Sequence, residues 1–314
     1  MVSGNYNYQF IDWSHDAIPN TNPDFPGDDH AHLGSLSTHL ITPTITIGLN
    51  DYINISYQQA IGIRSMDWRG EGGSKHHRDE HSLSDFVNAL GSAFGDATIN
   101  LKYLLTNTGA QAGSRIFLGT GLIIPSNSVL TKSPFIDDNN DGEIDDEHRH
   151  FSMSDGCYKT NIELQYYIKN DSKKIFIPSF YGLTLNYIKP LKESDYGYLS
   201  GDTYIAVGSV LFKTNLKSVW APKGISLGAA FLKTEEASWN DVPVPSLMAE
   251  TFIPSIGFIW NHKEYGSFNL NLKYNKDEAI PGDEDVLNNE SQSIEMSIGY
   301  RKTLDFTVPF LDGY

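Results

Sequence analysis

Residues 137–145 read Asp-Asp-Asn-Asn-Asp-Gly-Glu-Ile-Asp, a spacing that suits a hard divalent cation. Asp137, Asn139 and Asp141 place side-chain oxygens at alternate positions, Glu143 offers a backbone carbonyl, and Asp145 a direct or water-mediated contact. Gly142 permits the sharp turn, and Ile144 is the apolar residue that follows it. This is a calcium-loop pattern with one departure. Its last position holds His148, and the acid expected there, Glu147, comes one residue early. The departure predicts weak affinity or a borrowed ligand; the plain alternative is a solvated acidic loop.

Histidine supplies a second candidate. Nine of the ten histidines precede residue 151, most of them in connecting segments: His15, His30, His32, His76, His77, His81, His148 and His150. His30-x-His32 and His148-x-His150 each put two imidazoles on one face of an extended chain, the reach needed to chelate Zn²⁺ or Cu²⁺. Met153 and Cys157 follow the second pair and suit a softer metal. Exposed polar surface is the competing explanation for all of them.

The elements that must carry these loops show a clear rhythm. In 96–106, Ile99, Leu101, Tyr103 and Leu105 share one parity, and Thr98, Asn100 and Lys102 the other. Side chains of a strand alternate between faces, so one face is apolar and the other wet. The same alternation predicts strands near 5–13, 36–49, 52–65, 96–106, 115–125, 158–168, 174–187, 202–214, 225–234, 250–262, 267–276 and 292–306. Connections after odd-numbered strands are long, 14–35, 66–95 and 126–157 above all, and those after even-numbered strands are short. Acidic runs occupy the long loops, and Lys169, Lys173, Lys174, Lys217, Lys223 and Lys263 the short turns. A soluble β-sandwich has no reason to segregate its loops in this way. An outer-membrane barrel has one, with tight periplasmic turns and long external loops.

The expected fold is therefore all-β: one domain over 1–314, a closed antiparallel up-and-down transmembrane β-barrel of about twelve strands. Closure also removes the sheet edges that an open arrangement would leave. Parity assigns Ile53, Ile55, Tyr57, Ile61 and Ile63 to lipid, with Asn54, Ser56 and Gln58 inside. It likewise turns Ile162, Leu164, Tyr166 and Ile168 outward and Lys159, Asn161, Glu163 and Gln165 inward. Asn269, Asn271, Lys273, Ser293, Glu295 and Ser297 are expected inside too. Tyr204, Ala206, Gly208, Val210 and Phe212 also fall on the inward parity, beside the small Gly228, Ala230 and Gly257. That makes the expected lumen half polar and half apolar, suited to an amphipathic molecule.

Composition narrows the classes further. The chain has 314 residues, 12% aromatic, with a net charge of −16, which argues against nucleic acid as a partner. Mean hydropathy is −0.34, and no apolar run is long enough for a membrane-spanning helix. Cys157 is the single cysteine, so no internal disulfide can form. The opening MVSGNYNYQF has neither the basic nor the apolar region of a signal peptide, so a barrel reading expects a processed chain.

The run Gly95-Asp96-Ala97-Thr98-Ile99-Asn100-Leu101-Lys102-Tyr103, followed by Gly119-Thr120-Gly121-Leu122-Ile123-Ile124-Pro125, resembles the phenol meta-pathway degradation-like family of outer-membrane barrels. Ser126-Asn127 stands where that family has Thr-Gly. The resemblance implies a cell outer-membrane location and uptake of aromatic or hydrophobic compounds.

The expected function is thus a porin-like channel or transporter in a Gram-negative outer membrane. Its partners are the lipid bilayer and a small amphipathic or aromatic solute, and its external loops bind calcium, zinc or copper. Two other classes compete. One is a metal-binding or adhesive surface barrel without transport. The other is a calcium-dependent lipid hydrolase, because His150-Phe151-Ser152 resembles the His-x-Ser of outer-membrane phospholipases, with Asp155 to orient the base. No phosphate-binding, dinucleotide-binding or CxxC motif is present.

Overall fold

The computed structural model describes residues 1–15, 32–68, 79–109, 112–134, 148–171, 174, 176–218, 220–244, 249–278 and 290–304. Twelve long strands form one ring: β1 (Val2–His15), β2 (His32–Gly48), β3 (Ile53–Trp68), β4 (Phe94–Asn107), β5 (Gly113–Ile124), β6 (Tyr158–Lys169), β7 (Phe180–Lys192), β8 (Thr203–Lys213), β9 (Gly224–Thr234), β10 (Ala249–His262), β11 (Gly266–Glu278) and β12 (Glu290–Lys302). Each is antiparallel to its neighbours, and β1 pairs with both β2 and β12, with Val2 opposite Lys302 and Ser14 opposite Glu290. The sheet therefore closes into a barrel, and no long strand is left with a free edge.

Residues opposite each other in a ladder share a face, which lets the register assign inside and outside. One row runs from Tyr6 to Ile41 and Ile61 on one side. On the other it runs through Ile298, Leu270, Phe258 and Ile225 to Phe212. This row is apolar throughout and none of it is buried: Ile41 is 55% exposed, Ile298 47%, and the rest partly exposed. Phe252, at 63%, lies on the same face. An apolar belt of this extent is stable only against hydrocarbon, and closed barrels are the sheets that cross a membrane. The adjacent row passes inward through Asn7, Ser297, Asn271, Gly257, Ser226 and Leu211. A Cβ at Gly257 would collide with the amide oxygen of Asn271 and the hydroxyl of Ser226, so the bare backbone there makes room for polar lumen side chains.

Two sequence expectations need correction. The first concerns β7, which starts at Phe180 rather than near 174 and runs to Lys192. Pro178 has no N–H to give a ladder, and Phe176 lies 92% exposed in the turn before it. The connection 170–179 at the short-turn end is thereby as long as 193–202 at the other. The second concerns β8. Tyr204, Ala206, Val210 and Phe212 pair with Tyr187, Leu185, Tyr181 and Ile225 on the lipid face, and Gly208 lies on that face too. The inward residues are Thr203, Ile205, Val207, Ser209 and Leu211. The apolar side of the lumen consists instead of Ile188, Ile205, Val207, Leu211, Leu232 and Ile253.

The buried apolar side chains gather at one end. Ala89, Val129, Phe151, Cys157, Ala237, Trp239 and Val244 all belong to long connections or to their junctions with strands. The packed core of the described residues is therefore the folded mouth, and the barrel is its rim.

Candidate functional site at the barrel mouth

Four connections build the mouth. Glu80–His81 adds a two-residue strand to β3, with His81 opposite Ser65 and Glu80 opposite Met66. The segment after it then joins the long β5–β6 connection, as Leu90 N–H donates to Val129 O at 2.9 Å and Thr131 N–H to Asn88 O at 2.6 Å. Asn88 clasps the backbone of Arg149 from both sides. Its amide donates to Arg149 O at 2.8 Å, and its carbonyl accepts from Arg149 N–H at 2.7 Å. The Arg149 guanidinium is fully buried, 3.9 Å from Glu80, and donates to the carbonyls of His81 and Ser84. It also stacks over Phe86, 4.9 Å from the ring centre. Burial pushes this guanidinium below its ordinary value, opposed by the charges of Glu80 and Asp85.

Across the opening, Ala237–Trp239 and Val242–Val244 form a hairpin that pairs with Tyr198–Leu199. Its two turn residues, Asn240 and Asp241, have φ of 48° and 63°. Asn and Asp tolerate this left-handed region, and two such residues in a row make the turn whose twist suits a tight hairpin. The hairpin holds Trp239 against Tyr198, with ring centres 5.4 Å apart.

Between these walls lies a cavity of about 330 Å³. Phe151, Tyr198 and Trp239 supply aromatic surface, and Arg64, Asp96, Asp155 and Lys159 supply charge of both signs. Arg64, Asp96 and Lys159 sit on lumen-facing positions of β3, β4 and β6, so the floor of the cavity is the top of the lumen. Arg64 ties the inward segment to the wall, donating to Ser152 O at 2.9 Å and to Thr38 Oγ at 3.2 Å. Lys159 and Asp155 form an ion pair. Burial and the nearby negative charge of Asp155 push the Tyr198 phenol up, and the same two causes push up the Cys157 thiol. Both groups are held neutral. Cys157, with no exposed surface, donates its S–H to Tyr198 O at 3.2 Å.

The predicted site residues fall into two groups. Asp137, Asn139, Asp141, Glu143, Asp145 and His30, with His76 and His77, lie outside the described residues. His32 opens β2 opposite His15 of β1. His148 and His150 are brought together, with Nε2 atoms 3.0 Å apart and ring centres at 4.6 Å, and His150 lines the cavity. Among the described residues no group of three or more His, Cys, Asp or Glu is arranged to hold a metal. Ser152 lines the cavity too, but its one proton is given to Ser154 O. That leaves the hydroxyl turned to backbone, not set up as a nucleophile.

Sequence reasoning missed Arg64, Asp96, Tyr198, Trp239, Arg149 and Glu80. Arg64 had a readable signal, the one charged residue on the inward parity of β3. The others become a site only when separate connections meet.

No protein-family model matches the chain, and no curated relative matches it in sequence. Solved structures do resemble it in fold. An outer membrane channel from Pseudomonas putida F1 superposes with a TM-score of 0.52 at 11% identity, covering 94% of both chains. The NanC porin gives 0.44 at 8% identity, with 96% of this chain and 100% of the porin covered. The Pseudomonas putida toluene transporter TodX gives 0.41 at 8%, with 95% and 88% covered.

Proposed function

We propose that this chain is an outer-membrane channel that admits a small amphipathic solute through the mouth cavity. The observation that carries this reading is the cavity itself. It opens between aromatic rings and charged groups directly above a lumen that is polar on one side and apolar on the other. Its volume, about 330 Å³, falls at the small end of ligand pockets. A molecule with a ring and a polar or zwitterionic head satisfies both walls: the ring against Phe151, Tyr198 and Trp239, the head between Arg64, Lys159, Asp96 and Asp155. The fold shared with the Pseudomonas putida F1 outer membrane channel supports the coarser part of the proposal, a barrel channel.

Uptake into proteoliposomes tests it, with phenylalanine as the amphipathic probe and glucose as the polar control. The proposal expects saturable phenylalanine uptake. Replacing Trp239 and Tyr198 by alanine should raise the half-saturation concentration and leave potassium chloride conductance in place. Equal, non-saturating fluxes of both probes would show a general pore without this site. No flux of either would favour a surface barrel without transport.

A further inference from the structure

We propose that His148 and His150 form a two-imidazole site for a cupric ion on the wall of the mouth cavity. The first support is distance. The two Nε2 atoms stand 3.0 Å apart. For a metal about 2.05 Å from each nitrogen, that separation corresponds to an N–metal–N angle of about 94°. A tetrahedral ion would want about 109°, and nitrogens about 3.35 Å apart. The pair therefore fits two neighbouring corners of a square plane, the geometry of Cu²⁺ and Ni²⁺, better than it fits Zn²⁺. Between those two, the order of divalent affinities favours copper.

The second support is the residue between them. Arg149 is locked on both backbone faces by Asn88, and its side chain is held among Glu80, His81, Ser84 and Phe86. With the middle residue fixed, the flanking imidazoles meet without any ordering of the chain at the moment of binding. Preorganisation of this kind converts a modest donor set into useful affinity. Two imidazoles leave the other corners of the plane to water or to a donor group on a solute, since the His150 ring faces the cavity.

The site is independent of the transport proposal, and its test does not use flux. Purified full-length protein in detergent is titrated with CuCl₂ and followed by electron paramagnetic resonance. To silence other loop histidines, the starting protein carries His30→Gln, His32→Gln, His76→Gln and His77→Gln together. The proposal expects one tight cupric ion per chain with a tetragonal spectrum and coupling to two imidazole nitrogens. His148→Gln and His150→Gln should each weaken binding at least tenfold and remove one nitrogen. Heat-modifiable gel migration confirms that each variant is folded. A cupric signal that survives both substitutions would overturn the site, as would no binding at all, which would leave a hydrogen-bonded histidine pair. Tighter binding of ZnCl₂ than of CuCl₂ would overturn the geometry.

Discussion

At Arg149 a guanidinium with no exposed surface faces Glu80 across 3.9 Å, and the two belong to different connections. Neither charge is stabilised by water, so each depends on the other, and the guanidinium also on the carbonyls of His81 and Ser84. Removing one member of a buried pair strands its partner, at a cost of about 3–5 kcal/mol. Here that cost falls on the mouth and not on the barrel, because the segments it joins hold the packed core. Arg149→Ala should therefore loosen the mouth while the barrel persists. Limited chymotrypsin digestion reads this directly, and cleavage after Phe86 and Phe151 should accelerate about 100-fold or more. Barrel integrity, followed by heat-modifiable migration, should be unchanged. Cleavage at the original rate would mean that the backbone bonds of Asn88 hold the mouth without the ion pair.

Strands expose the part of this structure that a sequence can disclose. β3, β6, β11 and β12 alternate strictly, so hydrocarbon outside and water inside can be read from parity alone. β8 does not alternate. Ile205, Val207 and Leu211 are as apolar as Ala206, Val210 and Phe212, so only the register with β7 and β9 sets the facing. A one-residue error there reverses every side chain. The start of β7 is obscured for a related reason, since the apolar residues before Pro178 continue the pattern into a turn. The mouth is less legible still. His148-x-His150 pairs locally and can be seen in the chain, whereas Trp239, Tyr198, Arg64 and Asp96 converge from four different segments. The facing of β8 is testable by a matched pair of charges. Val210→Arg puts a cation against lipid and should cost about 2–4 kcal/mol of folding stability in bilayers. Ser209→Arg, one residue away, enters the lumen and should cost far less. Urea titrations in vesicles measure both, and the opposite ranking would restore the parity expected from sequence.

For the whole molecule, the charge pattern of the conduit decides what a channel would pass. The long connections are acidic in sequence, and a net charge of −16 adds to the attraction for cations. Inside, charge is paired. Lys102 lies 2.8 Å from Glu163 across β4 and β6, and Lys273 lies 2.7 Å from Glu295 across β11 and β12. All four side chains are partly exposed, between 18% and 37%, so they line water and do not seal a dry core. Pairs of this kind cancel each other's field at a distance, and the intact lumen should discriminate weakly between small ions. Breaking the pairs from either side should then push selectivity in opposite directions. Glu163→Gln with Glu295→Gln leaves two unpartnered lysines and should shift the reversal potential in a potassium chloride gradient toward chloride. Lys102→Gln with Lys273→Gln should shift it toward potassium. Because each glutamine nearly preserves the side-chain volume, conductance should change little while the sign of the potential reverses between the two variants. Shifts of the same sign in both would mean that selectivity is set by the acidic connections and that the paired charges lie off the path of the ions.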